Sequence, residues 1–164
     1  MEETRIKNLI RTWLEKSHQE GDQFASFVFI WFCFNAWIEH LSAKDTDAEM
    51  IKEVAERQQS MISLTEAYDS AISDDNLLRG SVRALIGKSQ EEPITDVRGR
   101  KPPISIKDEN DFENIIWAIY RIRCNLFHGG KDANELRDQV LVKLAANILR
   151  QWMDRLIAKW EHEN

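Results

Sequence analysis

Six glycines and three prolines in 164 residues are too few to interrupt much regular structure, and two cysteines are too few for a disulfide scaffold. Collagen-like, low-complexity and small disulfide-rich folds are therefore excluded. With 43% hydrophobic residues beside 30% charged ones, the chain also has too much apolar material to stay disordered. A 19.2 kDa chain buries roughly 70% of its extended surface on folding, enough for one core without a structural metal. Cys33 and Cys124 both lie inside apolar runs, where a free thiol behaves as a small buried hydrophobe, and this fits a reducing cytoplasm. His18, His40, His128 and His162 are scattered, and no Cys/His grouping has zinc spacing, so no metal and no cofactor is expected. The stretch Met1 to Lys7 is acidic and polar and does not read as a secretion signal.

There is only one long apolar run, FASFVFIWFCFNAWI, from Phe24 to Ile38. It falls short of the roughly 20 apolar residues that span hydrocarbon. It predicts a central helix buried on nearly all sides, interrupted by Asn35. No membrane association is expected.

Charge is unevenly distributed. Residues 1 to 78 carry a net −8, residues 79 to 107 a net +4, and residues 108 to 164 a net −2. The basic middle segment holds Arg79, Arg83, Lys88, Arg98, Arg100, Lys101 and Lys107, a strip attractive to phosphates or simply a solvated loop. The net charge of −6 argues against indiscriminate nucleic-acid binding. Pro93, Gly99, Pro102 and Pro103 break regular structure there, which predicts an irregular basic connection at about residues 87–107, long for a compact domain.

Elsewhere the periodicity is helical. Ile6, Leu9, Ile10, Trp13 and Leu14 form one stripe, closed off by Gly21. Thr46 and Glu49 read as a capping box opening a long amphipathic helix that ends near Ile72, and Asp74 or Asp75 caps a shorter one through Ile86. Asp108 precedes Phe112, Ile115, Ile116, Ile119, Ile122 and Leu126, and Gly129-Gly130 supplies the left-handed residue that stops this helix. Asp132 and Glu135 open the last helix, along which Leu136, Val140, Leu144, Ile148, Trp152, Leu156 and Trp160 step by four. The six tryptophans fall within such stripes and read as core or interface fillers. The chain is thus expected to be all-α, a single-domain bundle of five or six helices.

Candidate chemistry is concentrated in Tyr120 to Lys131, YRIRCNLFHGGK, where Arg, Asn and His crowd around a helix end. On a helical wheel Arg123 shares the face of Ile116, Ile119 and Leu126, whereas Arg121 points outward. A guanidinium on an apolar face must be paired with a neighbouring helix or lie at a cleft or subunit interface, since isolated burial costs several kcal/mol. His128 falls at the helix C-terminus, where the dipole favours a protonated imidazole.

The string Arg123-Cys124-Asn125-Leu126-Phe127-His128 fits the R-x(4 to 6)-H signature of the HEPN superfamily, and RCNLFHGGK resembles the form found in many of its prokaryotic members. Trp31-Phe32-Cys33-Phe34-Asn35-Ala36 is similar to the W-x-x-FNA element on an earlier HEPN helix. Cys124 stands where the family often has a polar residue, with Asn125 one place later. The resemblance implies metal-independent cleavage of RNA, with Arg123 and His128 as the reacting pair at a composite dimer site. Family members often act as toxins or defence effectors, some restrained by an antitoxin such as a minimal nucleotidyltransferase.

The reaction itself is consistent with those side chains. A 2′-hydroxyl must lose a proton, charge grows on the phosphoryl oxygens, and the departing 5′-oxygen must gain a proton. Imidazole moves protons, and guanidinium receives the phosphoryl oxygens. One imidazole cannot do both transfers at once, so a homodimer pooling two Arg123 and two His128 side chains is expected. Asn125, Arg121, Asn35 and Lys131 are candidates for orienting substrate or the histidine. The alternatives are a HEPN-type module that binds nucleotides or RNA without cutting, and a helical interaction scaffold.

Overall fold

The computed structural model describes residues 2–74, 76–129 and 134–163. Seven α-helices occur among them: α1 Glu2–Gln19, α2 Gln23–Leu41, α3 Asp47–Ala55, α4 Ile62–Asp74, α5 Asn76–Glu91, α6 Phe112–Phe127 and α7 Leu136–Glu163. The fold is an all-α bundle, as the periodicity predicts. The stripe on the 28-residue α7 turns slowly around the helix, so different stretches of it pack against α1, α2, α4, α5 and α6. Trp152 is fully buried at its middle, donates its indole N–H to the Leu64 carbonyl at 2.8 Å, and meets Phe34, Tyr68 and Phe112 ring to ring. Its one polar atom is thereby satisfied.

The helix count exceeds the expected five or six because the segment from Thr46 is not continuous. The Thr46/Glu49 capping box forms as predicted, but α3 stops after nine residues and a 3-10 turn at Gln59–Met61 precedes α4. At the stop, Arg57 adopts φ 53°. Its N–H bonds to the Val54 carbonyl, and that of Gln58 bonds to the Glu53 carbonyl. This is a Schellman ending built on arginine where glycine is usual. Arg57 is held there by a two-pronged ion pair to Asp69, at 3.0 Å for each nitrogen, and by the Phe112 ring beneath its guanidinium at 4.1 Å. The buried Glu53 carboxylate ties the break together by accepting from Ser42 at the end of α2 and from Ser60 in the 3-10 turn.

Helix α2 extends four residues beyond the apolar run, so by length and composition it would reach across a membrane. Its surroundings are those of a bundle helix: it packs against α1 and α7, and 44% of its most apolar window is buried. It is not enclosed on nearly all sides, however. Phe32 is 40% exposed and Val28, Phe29 and Ala36 are half-buried.

The irregular connection begins at Glu92, later than the sequence predicts, because α5 continues through Gly87. Its two arms meet in one antiparallel bridge, Ile94 with Ile104, joined by backbone bonds of 2.8 and 3.0 Å. Ile94, Ile104 and Ile106 are buried, so residues 94–104 form a strap nailed to the bundle by isoleucines at its ends. Its tip is polar and open.

Candidate functional site

On α6, Arg121, Asn125 and His128 stand at i, i+4 and i+7, which places them on one side of the helix. The strap covers that side. Arg121 donates to the carbonyls of Ile94 and Pro102 at 3.2 and 3.1 Å. Asn125, only 2% exposed, donates to the Thr95 carbonyl at 2.8 Å and accepts from the Val97 N–H at 3.1 Å. His128 caps α6, with Nδ1 2.7 Å from Arg98 Nη2. Gly129 follows at φ 74° and turns the chain out of the helix. Arg121 is therefore half-buried rather than outward-pointing: it does leave the core, but it meets a strap that arrives from 19 to 27 residues earlier in the chain.

The Arg98 contact gives His128 a partner outside α6. Arginine only donates, so in this contact Nδ1 is the acceptor.

Arg123 faces the other way, toward α3. Its Nη2 lies 3.1 Å from Asp47, the first residue of that helix, and 17% of its side chain is exposed. The guanidinium lies over Phe127 at 4.4 Å, Trp31 at 5.5 Å and Tyr120 at 5.8 Å. Phe127 and Tyr120 are its i+4 and i−3 neighbours, so α6 builds most of this aromatic cradle from its own sequence. Arg123 Nε is buried without a hydrogen-bond partner. Within one chain Arg123 and His128 are thus held on different sides of α6 by different partners.

Asn35 is half-buried on α2, one turn beyond Trp31, and its Oδ1 is buried without a partner. That oxygen makes no hydrogen bond to α6 or to another helix. Lys131, and Asp132 with it, lie outside the described residues.

Between the strap, the start of α3 and the outer side of α6 lies a cleft of about 580 Å³. Arg98, Arg100 and Lys101 of the strap line it, together with Trp117, Tyr120, Cys124 and His128 of α6. The strap turn is shaped by Asp96, whose carboxylate accepts the backbone N–H groups of Arg98, Arg100 and Lys101 at 3.0 to 3.1 Å. These bonds, the one from Arg98 foremost, hold the Asp96 carboxyl below its ordinary range. Burial pushes the Tyr120 phenol up, with Cys124 beside it adding to the effect. Cys33 is buried in the core and its thiol is pushed up by burial, whereas Cys124 is half-exposed in the cleft. Both are free.

Among the described residues, no three His, Cys, Asp or Glu side chains converge as metal ligands would. Of the basic middle segment, Arg79 caps carbonyls at the end of α4, Arg83 pairs with Glu109, and Lys88 pairs with Glu91. Only Arg98, Arg100 and Lys101 reach the cleft. The tryptophan stripes give Trp117 no site role, and nothing in the sequence marks Asp47 or Asp96; Tyr120 opens the candidate segment without a role of its own. Trp117 sits in an apolar stripe, and Asp47 meets Arg123 across 76 residues, which no local pattern encodes. Compared with protein-family models, curated proteins and solved structures, the chain matches none.

Proposed function

We propose that this chain is a HEPN-type, metal-independent endoribonuclease that cuts single-stranded RNA, acting as a homodimer in a toxin- or defence-like role. The observation that carries this reading is the placement of His128: at the end of α6, on the rim of a cleft that also holds Arg98, Arg100 and Lys101. In the reaction the ribose 2′-oxygen gives its proton to one imidazole and bonds to phosphorus. The bond from phosphorus to the 5′-oxygen breaks, and that oxygen takes a proton from a second imidazole, leaving a 2′,3′-cyclic phosphate and a 5′-hydroxyl. In the free chain Arg98 occupies the lone pair of His128 Nδ1. A phosphate that draws Arg98 away frees that nitrogen to act as the base.

The second imidazole and Arg123 come from the two-fold partner, because one chain holds Arg123 and His128 apart. The apolar surface beside Arg123 suits such a contact: Phe127, whose ring lies 4.4 Å from that guanidinium, is 41% exposed. A restraining antitoxin, such as a minimal nucleotidyltransferase, belongs to the same reading. The test is incubation of purified protein with single-stranded RNA in excess EDTA. Cleavage ending in 2′,3′-cyclic phosphate is expected, and it should vanish in both Arg123→Ala and His128→Ala; persistence in either variant contradicts the assignment.

One observation favours a second reading, a module that binds RNA without cutting it. Arg123 already has a carboxylate partner in Asp47, the arrangement expected of a residue that joins α3 to α6.

A further inference from the structure

We propose that the cleft between the strap and α6 is a binding site for an unpaired nucleotide of RNA, with the base stacked on Trp117 and the flanking phosphates taken by Arg100 and Lys101. The grip does not require that the protein cut RNA; only the choice of RNA over DNA rests on the function proposed above.

Three features of the cleft converge on this ligand. Its two walls differ in chemistry. The α6 wall carries the half-buried rings of Trp117 and Tyr120, set edge to face at 5.9 Å. The strap wall carries three cations, Arg98, Arg100 and Lys101, on the one turn that Asp96 organises. An aromatic platform facing basic side chains suits a ligand with a flat π-face and negative charge a few ångströms away, as in a nucleotide. The size agrees, since about 580 Å³ falls within the range of small-ligand sites.

The cations are also available. Among the described residues, Arg100 and Lys101 make no side-chain hydrogen bond or ion pair, although the chain has an acidic excess that pairs many of its other cations. Their backbone N–H groups are fixed by Asp96, so the charges are presented from a set turn while the side chains stay open. The carboxylate that fixes the turn spends its oxygens on backbone donors, which reduces its competition with a phosphate.

Finally, the strap that bears the cations is latched to the helix that bears the rings. Arg121, Asn125 and His128 of α6 each hold a different point of the strap. The bonds from Arg121 and Asn125 to the strap backbone thus set the spacing between the walls before any ligand arrives, which lowers the ordering cost of binding. A base inside a duplex presents no free face to Trp117, so the site selects single strands.

The test measures binding of a fluorescein-labelled single-stranded oligoadenylate RNA by anisotropy, in EDTA, across a salt series. Trp117→Ala and the milder Trp117→Leu should each weaken binding by about tenfold or more. Arg100→Ala/Lys101→Ala should lower the slope of log affinity against log salt by about 1.4, as expected for two lost phosphate contacts. The oligonucleotide should slow alkylation of Cys124, which lines the same cleft, and a duplex of equal length should not. Wild-type protein that binds the oligonucleotide in EDTA without cutting it leaves this proposal standing and removes the catalytic reading, so the two fail separately. Thermal melts establish that the variants fold. Wild-type affinity in Trp117→Leu, an unchanged salt slope in the double variant, or equal binding of duplex and single strand would each overturn the proposal.

Discussion

At the scale of single residues, the decisive contrast lies between two arginines two positions apart on α6. Arg121 holds backbone carbonyls of the strap, and Arg123 holds a carboxylate on α3. The 17% and 33% side-chain exposure of the Arg123–Asp47 pair leaves it partly screened, so its net worth is about 1 kcal/mol. Asp47→Asn is therefore expected to lower unfolding free energy by about that amount while keeping RNA cleavage, whereas Arg123→Ala loses cleavage. Urea melts and the EDTA cleavage assay on the same two variants check both halves. If Arg123 only joins two helices, both variants lose stability and neither changes activity selectively.

Asp96 gives a pH dependence at the same scale. Its carboxyl is held low by backbone donors, so the turn gains stability that is fully present above the ordinary carboxylate value of about 4 and is lost as pH falls through the lowered value. Amide proton shifts of Arg98, Arg100 and Lys101 should therefore stay constant from neutral pH down to about 4 and move together below it. Independent movement of the three would show that one carboxylate does not organise the turn.

At the scale of elements, the strap and α6 depend on each other through Asn125. Replacing it by Ala removes both bonds that tie the strap backbone to the buried Asn125; because Thr95 and Val97 are themselves exposed, the loss is that of ordinary hydrogen bonds, about 1 kcal/mol each. The expected outcome is faster hydrogen exchange across 94–104 with the helical circular dichroism unchanged, because the strap contributes no helix. The helices themselves were largely legible. The Thr46/Glu49 box, the α6 stripe and its glycine stop all stand where the sequence puts them. The α3 break was not legible, because its left-handed residue is an arginine stabilised by Asp69 and Phe112 rather than a glycine. Nor was the strap, whose latches join residues 19 to 30 positions apart. Helical periodicity reports which face of α6 is apolar, but not that its polar face is roofed by a distant loop.

At the scale of the whole molecule, charge and apolar surface are segregated. The chain is acidic overall, yet its unpaired strap cations gather at one cleft. On α1 and α2, Leu9 and Phe32 are exposed, and Trp13 packs between Phe29 and Phe32 at 5.8 and 5.0 Å. The proposed composite dimer predicts that Phe127→Glu, placed beside Arg123, weakens self-association and cleavage together, as read by analytical ultracentrifugation and the RNA assay. A monomeric variant with full activity would remove the need for a second chain. The most direct measurement of the central claim uses a purified heterodimer of one wild-type and one His128→Ala chain, carrying different tags, in the single-stranded RNA assay. Two cooperating imidazoles predict a heterodimer at least about a hundredfold slower than the wild-type homodimer. A heterodimer at half the wild-type rate, or a wild-type homodimer that does not cut RNA, would contradict it.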